Sequence, residues 1–505
     1  MPRVPLSRSG NSWSRRLLEA LYRVFIEKKF NSWPGYVVFG CMALMFAVLL
    51  GHDVVLGFGF FGIVAAFCIV VVCLTQVEVG FYLLIFYGFF SYYFSRLFFH
   101  GELSVGIFFD SLVLLNFLGL IVGGGEFKPN FRAFVKIPLV TFILLTLCYN
   151  VVEMFNPNSM GASSTNILAL RKFIGYVLIL FTGYCLFDDY KRIRRYLITI
   201  WVVAVVSGLY GCIQQWHGYF GFEMEQIMAD PIAFGLLFVN GEFRKYGTMS
   251  DPSSFGILMG GCAIFFLILG IYEKKTAYKR MFFAGAGIMI LAMLYSGTRT
   301  ANAQVVAGLA FFLLLNVEKP ATRRLGVVAA IVFAYLLFGP GLGNNRTVQR
   351  FRTTFIGTND ESYKVRVLAR AFIQPYIRSH PIGGGQGTTG FNGAREHPGN
   401  PLANFMPDSS YVMRAAETGW IGLALICFLY GFTLVVTVRA FFRMRDERLK
   451  VIYAATASTF FSFYIAEFAQ IAIGGISDVV VYYPLLAIVL RFKTFQHDVT
   501  TKDVA

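Results

Sequence analysis

Long apolar segments recur along almost the whole chain. A stretch of about 18 or more residues with almost no charge is long enough to cross the hydrocarbon core of a membrane as a helix. Because that core offers no water to the backbone, such segments fold as helices that satisfy their own hydrogen bonds. We therefore predict an all-α, polytopic transmembrane helical bundle of about 14 spans with a large extracytoplasmic loop. The predicted spans are 36–52, 55–75, 79–97, 104–123, 136–153, 169–187, 196–215, 252–272, 281–297, 300–317, 325–340, 411–438, 451–473 and 477–491.

The composition excludes a soluble protein. Charged residues make up only 14% of the chain, against about 25% in soluble domains, and 56% of the residues are hydrophobic. The formal net charge of +16 does not indicate a nucleic-acid partner, because most Lys and Arg residues lie in short loops between apolar segments, as membrane orientation requires. All eight cysteines lie inside apolar segments without metal-ligand spacing, so no metal or other cofactor is expected.

Basic loops alternate along the chain and predict its orientation. Loops rich in Lys and Arg are expected in the cytoplasm, and they lie at 128–136, 191–195, 274–280, 319–324 and 439–450. Both termini are then cytoplasmic, and the outer segments are 154–168, 216–251 and 341–410. The predicted organisation is a cytoplasmic amphipathic N-terminus (1–34), a transmembrane bundle (35–340) with the outer loop 216–251, a large extracytoplasmic loop (341–410), C-terminal transmembrane helices (411–491) and a cytoplasmic tail (492–505).

Residues 11–30 carry apolar side chains at helical spacing among basic ones. This pattern predicts either a helix that lies on the cytoplasmic membrane surface or an amphipathic lead-in without a role of its own.

Several cations lie in the predicted outer segments, against the orientation rule. They are Arg171, Lys172, Arg244, Lys245, Arg299, Arg346, Arg350, Arg352, Lys364, Arg366, Arg370, Arg378 and Arg395. In a long loop such cations are often simply solvated, and we take Arg350 as an ordinary surface cation. Arg299 is different, because it lies between two apolar helices, where an isolated charge is costly and marks a functional site. A guanidinium fork matches phosphate oxygens, so a lipid-linked phosphate or diphosphate is the expected ligand.

Three acids, Asp110, Glu467 and Asp478, lie within predicted spans. Transporters use such residues as ion or proton sites, so a lipid-linked oligosaccharide transporter or flippase is an alternative of another class. Against it, the sequence shows no pair of matching Gly- or Pro-interrupted helices in two halves.

The large outer loop carries the candidate base. The segment HPIGGGQGTTG at 380–390 is either a tightly turned loop or a phosphate cradle. His397 and Asp408 follow it and are the two candidates for a base beside the cations. For Asp408 the alternative is that it caps the helix that begins after Ser409.

Five motifs follow one another between residues 208 and 423. They are GLYGCIQQWHG (208–218), RKYGTMSDPSSFGILMGG (244–261), SGTRTA (296–301), KVRVLARAFIQPYIRSHPIGGGQG (364–387) and SSYVMRAAETGWIGL (409–423). In this order they resemble the integral-membrane O-antigen ligase and O-antigen polymerase group. The resemblance implies a glycosyltransferase-C-like fold and action on undecaprenyl-diphosphate-linked sugars at the outer face of the bacterial cytoplasmic (inner) membrane.

The resemblance also implies roles for single residues. Arg299 and Arg366 resemble arginines that hold the donor diphosphate. Where the ligases carry a His–Asn pair nine residues before a Glu, this chain has Asp408 and Ser409, and that departure resembles the polymerases. We predict Asp408, or alternatively His397, as the base. The predicted substrate-binding residues are Arg171, Arg244, Lys245, Arg370, Tyr411 and Glu417.

The sequence thus predicts a metal-independent polysaccharide polymerase, for O antigen or exopolysaccharide, that joins glycan from the lipid-linked donor to a second lipid-linked repeat. The expected partners are this oligosaccharide, membrane lipid and a chain-length regulator protein. An O-antigen ligase that passes the glycan to a lipid A-core or protein acceptor is the alternative within the class.

The alternation of basic loops gives a testable orientation. A reporter that works only outside the cytoplasm should be active when fused at about residue 230 or 395 and inactive at about 277 or 445. The opposite pattern of activity would overturn the predicted topology and the external position of the site.

Overall fold

The computed structural model describes residues 33–123, 127–159, 164–239, 241–340, 346–356 and 361–496. Most of these residues are helical, and the strands among them form one antiparallel hairpin in which Phe238 pairs with Phe243. The amphipathic segment predicted at 11–30 lies outside the described residues, as does most of the predicted tail.

The helices are numbered in chain order. They are α1 (Trp33–His52), α2 (Val54–Thr75), α3 (Val77–Phe99), α4 (Val105–Gly123), α5 (Phe127–Val135), α6 (Pro138–Glu153), α7 (Ser164–Leu186), α8 (Tyr190–His217), α9 (Gly221–Ala229), α10 (Pro231–Leu237), α11 (Pro252–Tyr272), α12 (Thr276–Tyr295), α13 (Arg299–Leu315), α14 (Pro320–Phe338), α15 (Arg346–Ile356), α16 (Glu361–Ser379), α17 (Gly390–Glu396), α18 (Ser410–Glu417), α19 (Gly419–Arg443), α20 (Glu447–Ala466) and α21 (Ile476–Leu490). The hairpin strands β1 (Phe238–Val239) and β2 (Glu242–Phe243) lie between α10 and α11.

Each predicted span overlaps one long helix, namely α1 to α4, α6 to α8, α11 to α14 and α19 to α21. Of the helices in the described ranges, nine are long and apolar enough to cross a membrane by length and composition. The prediction of an all-α, polytopic membrane protein is therefore confirmed.

Two predicted spans have different ends in the structure. The span predicted at 411–438 is divided at Thr418 into α18 and α19, because Gly419 has a φ of 65°, which a right-handed helix does not contain. The span predicted at 451–473 ends with α20 at Ala466. Glu467, which we expected within a span, therefore begins a loop that leads to α21.

The described residues group into two compact units. The first contains the described residues up to Leu84 and those of Ile107–Val135, and the second contains Ile85–Gly106 and the described residues from Lys136 onward. In the first unit α1 packs against α2. Gly119 lets α4 approach α2, since a Cβ there would lie 2.4 Å from the carbonyl oxygen of Cys73.

Among the nine described helices that are long and apolar enough to cross a membrane, α11 and α20 are the most buried. A Cβ on Gly261 of α11 would lie 2.7 Å from the ring of Phe463 on α20, so the small residue permits this close approach. The Gln304 amide on α13 donates to Ile257 O at 3.1 Å and to Ser462 Oγ at 3.3 Å. These contacts fix α13 against both helices and so fix its first residue, Arg299.

The glycine-rich loop after α16 docks on the junction of α18 and α19. Gly385 N donates to Glu417 O at 2.8 Å, and Trp420 N donates to Pro381 O at 2.9 Å. A Cβ on Gly419 would lie 2.0 Å from Pro381 O. Of the two readings of HPIGGGQGTTG, the structure therefore shows a tightly turned, packed loop.

Replacing Gly419 by Ala should destabilise the protein, because a Cβ in the left-handed region costs about 1–2 kcal/mol before the clash with Pro381 is counted. Gly431→Ala is the matched control, since Gly431 lies inside α19 and nothing lies within 4 Å of its Cβ position. That control should be neutral or stabilising by up to about 1 kcal/mol. Thermal unfolding of the protein in detergent measures both, and equal midpoints would contradict the constraint at Gly419.

Candidate functional site

Asp408 lies directly before α18 and faces two arginines of α16. Its Oδ2 is 3.4 Å from Arg366 Nε and 3.8 Å from Arg370 Nη2, and its side chain keeps 18% of its surface exposed. The N-cap residue of α18 is Ser409, which makes no side-chain capping hydrogen bond, and the Ser410 N–H bonds to Glu467 O. The alternative that Asp408 serves as a helix cap is therefore wrong, and the carboxylate instead lies in a half-exposed ionic cluster.

The loop after α20 supports this cluster from the other side. The carbonyl oxygen of Glu467 accepts hydrogen bonds from Ser409 Oγ at 3.2 Å and from Ser410 N at 3.1 Å. Arg370 Nη2 donates to Phe468 O at 3.0 Å. Burial raises the pKa of the Glu467 carboxyl to about 7, against the opposing effect of a hydrogen bond from the Ser410 side chain.

Tyr411 and Arg414 project from α18 beside Glu467. The Tyr411 hydroxyl, which we predicted to bind substrate, donates a hydrogen bond to the backbone oxygen of Tyr464 at 3.0 Å. Arg414 interacts electrostatically with Glu417 and with Glu467. Arg414 was not predicted as a site residue, although it lies inside the motif SSYVMRAAE, three residues before Glu417. Its second acidic neighbour, Glu467, is distant along the chain.

Glu417, also a predicted substrate-binding residue, is buried beneath the glycine-rich loop. Its Oε1 accepts hydrogen bonds from the amide and the hydroxyl of Thr389. Burial raises the pKa of this carboxyl, and the hydrogen bond from Thr389 opposes the shift. These contacts give Glu417 a place in the docking of the loop; contact with substrate stays a prediction.

His397 lies buried at the C-terminal end of α17, where its backbone N–H donates to Gly393 O at 2.8 Å. Helix α17 packs against α7. The alternative role of His397 as a base stays a prediction.

A second group of arginines lies where α12 meets α13. Arg244 donates from Nε to Ser296 O at 3.2 Å and from Nη2 to Thr298 Oγ1 at 3.1 Å. Burial, with repulsion from Arg350 and Arg299, lowers the pKa of Arg244 to about 10. The structure thus brings two predicted residues, Arg244 and Arg299, together.

Arg350 is the third member of this group, contrary to our expectation of an ordinary surface cation. A Cβ on Gly297 would lie 2.2 Å from Arg350 Nη1, so the guanidinium occupies the space that Gly297 leaves open. Burial and repulsion by Arg299 lower the pKa of Arg350. No sequence pattern marks this position, because α15 contacts α12 and α13 only in the folded chain.

Lys245 is buried beside the same junction. Its Nζ lies 4.8 Å from the centre of the Tyr219 ring, and burial lowers its pKa. Since such a cation–π contact replaces part of the lost hydration, Lys245 helps to hold the segment 216–251 in place. Its predicted contact with substrate is untested.

Arg96 anchors the same segment to α3. It donates to Met249 O at 2.7 Å and to Gly247 O at 3.1 Å, and it lies 4.3 Å from the centre of the Tyr246 ring. Arg96 also interacts with Glu223, whose pKa is raised by burial and lowered in part by this arginine. Sequence reasoning missed both residues, although Arg96 is the single charge in the predicted span 79–97.

Arg171 on α7 has its Nη2 3.7 Å from the Cβ position of Gly106. Its predicted role in binding substrate stays a prediction. Within the described ranges, no group of three or more His, Cys, Asp or Glu side chains is arranged to hold a metal ion.

Residues 284–427 match the sequence model of the family described as O-antigen ligase. The match includes Arg299, Arg366, Asp408 and Glu417, and it supports an O-antigen ligase/polymerase-like family for this chain. The resemblance predicted from the motifs is thereby confirmed. No individual curated protein matches the chain.

The arginine group at Gly297 makes a prediction about stability. Because Arg350 repels Arg299 and Arg244, Arg350→Gln should raise the unfolding midpoint of the ligand-free protein. The free energy of unfolding should increase by up to about 1 kcal/mol. Added inorganic diphosphate should stabilise the wild type more than the variant; a ligand at about a hundred times its Kd contributes about 2.7 kcal/mol. Arg395→Gln, which removes an exposed arginine, is the control. Equal responses to diphosphate in wild type and Arg350→Gln would show that Arg350 does not bind the anion.

Proposed function

We propose that this O-antigen ligase-like membrane protein is an extracytoplasmic glycan polymerase. In this proposal it transfers glycan from an undecaprenyl-diphosphate-linked donor to a lipid-linked acceptor repeat at the outer face of the bacterial inner membrane. The family match supports O-antigen ligase- or polymerase-type function in general. The choice of polymerase, the lipid-linked substrates, the location and a chain-length regulator as partner are parts of the proposal.

The observation that carries the proposal is the position of the Asp408 carboxylate, 3.4 Å from Arg366 Nε and beside Arg370. Glycosyl transfer needs a base at the acceptor hydroxyl and fixed positive charge at the departing diphosphate. This cluster offers both chemical groups on one half-exposed surface.

The proposed step transfers one proton and exchanges one bond. The acceptor hydroxyl gives its proton to Asp408 as its oxygen forms a bond to the anomeric carbon of the donor. The bond from that carbon to the diphosphate oxygen breaks, and the electron pair stays on the diphosphate. Arg366 and the group formed by Arg244, Arg299 and Arg350 stabilise the charge that develops there, since guanidinium groups pair with phosphate oxygens. The step as written uses no metal ion.

The family description itself favours a ligase as the second candidate. The residues that favour a polymerase are Asp408 and Ser409, in the place where the ligases carry His and Asn. Reconstitution with a synthetic lipid-linked repeat separates the candidates. A ladder of longer glycans supports a polymerase, and a single transfer to a lipid A-core acceptor supports a ligase. Movement of intact substrate across the bilayer without a new bond would support the transporter.

Variants of Asp408 test the base. Asp408→Asn should reduce chain growth about a hundredfold to ten-thousandfold at normal protein level, as expected when a general base is removed. His397→Ala should keep most of the activity, and chelator should leave the wild type unchanged. Activity that survives in Asp408→Asn but is lost in His397→Ala would move the base to the imidazole. Loss of activity in chelator, restored by a divalent ion, would contradict the metal-free step.

A further inference from the structure

We propose that Glu467 and Phe468, the two residues that follow α20, are positioning residues for Asp408 and Arg370. This inference rests on the proposed function, because it names what holds the proposed base and its arginine partner. Both residues lie outside the segment that matches the family model, 284–427.

Glu467 holds the chain at Asp408 through its backbone. Its carbonyl oxygen accepts from the two residues that follow Asp408, Ser409 through its hydroxyl and Ser410 through its backbone N–H. The Ser410 N–H is one of the groups at the start of α18 that no earlier turn of that helix can satisfy. The position of Asp408 is therefore coupled to the position of the Glu467 carbonyl.

The Glu467 side chain holds this carbonyl in place. Its Oε1 accepts from Ala472 N at 3.0 Å and from Ile473 N at 2.5 Å, which closes the loop between α20 and α21 into a turn. The residue is fully buried. A carboxylate that accepts two backbone N–H groups is a strong acceptor, so its ionised form holds the turn better than its neutral form.

Phe468 holds the arginine partner. Its carbonyl oxygen accepts from Arg370 Nη2 at 3.0 Å, and its ring centre lies 4.9 Å from the Arg370 guanidinium carbon. The ring is 61% exposed, so a surface aromatic side chain is covered in part by a cation that also faces Asp408. Of these two consecutive residues, Phe468 thus contacts Arg370 itself, and Glu467 contacts the two residues that follow Asp408.

Other charged and titratable groups face Glu467 from the packed helices. They are Tyr411 and Arg414 on α18, Tyr430 on α19, and Asp478, Tyr482 and Tyr483 on α21. Since burial raises the pKa of Glu467 to about 7, its ionised fraction rises steeply around neutral pH. Turnover of the wild type should therefore rise through about pH 7.

The test compares full-length variants in the reconstituted glycan-extension assay. Glu467→Gln, which cannot ionise, should lose the rise in kcat through pH 7, while Glu396→Gln should keep it. Phe468→Leu should lower kcat about twofold to fivefold with KM little changed, the effect expected when an exposed cation–π contact is lost. Phe468→Tyr, which keeps the ring, should restore kcat, and Phe391→Leu should match the wild type. A wild-type pH profile in Glu467→Gln, together with equal kcat in Phe468→Leu and Phe468→Tyr, would overturn the inference.

A second measurement is independent of the proposed activity. Hydrogen exchange of residues 408–417 should be faster in Glu467→Ala than in the wild type and unchanged in Glu396→Ala. If the wild type makes no glycan ladder, the proposed function fails alone, and exchange decides the positioning role. Equal exchange in Glu467→Ala and the wild type would then reject it.

Discussion

The candidate site depends on the backbone contact between the glycine-rich loop and the junction of α18 and α19. Gly385 and Pro381 bond to Glu417 and Trp420 across a space that no side chain at Gly419 could share. The loop directly follows α16, so its docking holds α16 beside α18. Together with the packing of Ile373 and Ile377 of α16 against Ala415 and Ala416 of α18, this contact places the arginines of α16 near Asp408.

Like charges close to one another lower the stability of the folded protein. Arg244, Arg299 and Arg350 repel one another, and the lowered pKa of Arg244 expresses that repulsion together with burial. Such an arrangement destabilises the empty protein and favours a bound anion, the trade between stability and activity common at functional sites. The cluster at Asp408 differs, because there a carboxylate offsets two arginines.

Much of the fold could be predicted, because span length and loop charge depend on the bilayer and only weakly on the partners of each helix. The exceptions are local. The break at Gly419 and the end of α20 at Ala466 follow from tertiary contacts that hydropathy does not contain. Within the site, Asp408, Arg366 and Arg370 were singled out from the sequence and are brought together, whereas Arg350 and Phe468 were not recognised, because they lie far along the chain from the residues that they contact.

The sequence by itself determined a polytopic helical membrane protein with most of its Lys and Arg residues in short loops between apolar segments. The motifs placed Arg299, Arg366 and Asp408 in order along the chain. Only the tertiary structure decided which side chains meet: Arg350 above Gly297, Arg370 between Asp408 and Phe468, and Glu417 beneath the glycine-rich loop. The physical reason is that burial in a bilayer is a property of each segment by itself. An ion pair or a hydrogen bond between segments far apart in the sequence requires the fold to bring them within bonding distance.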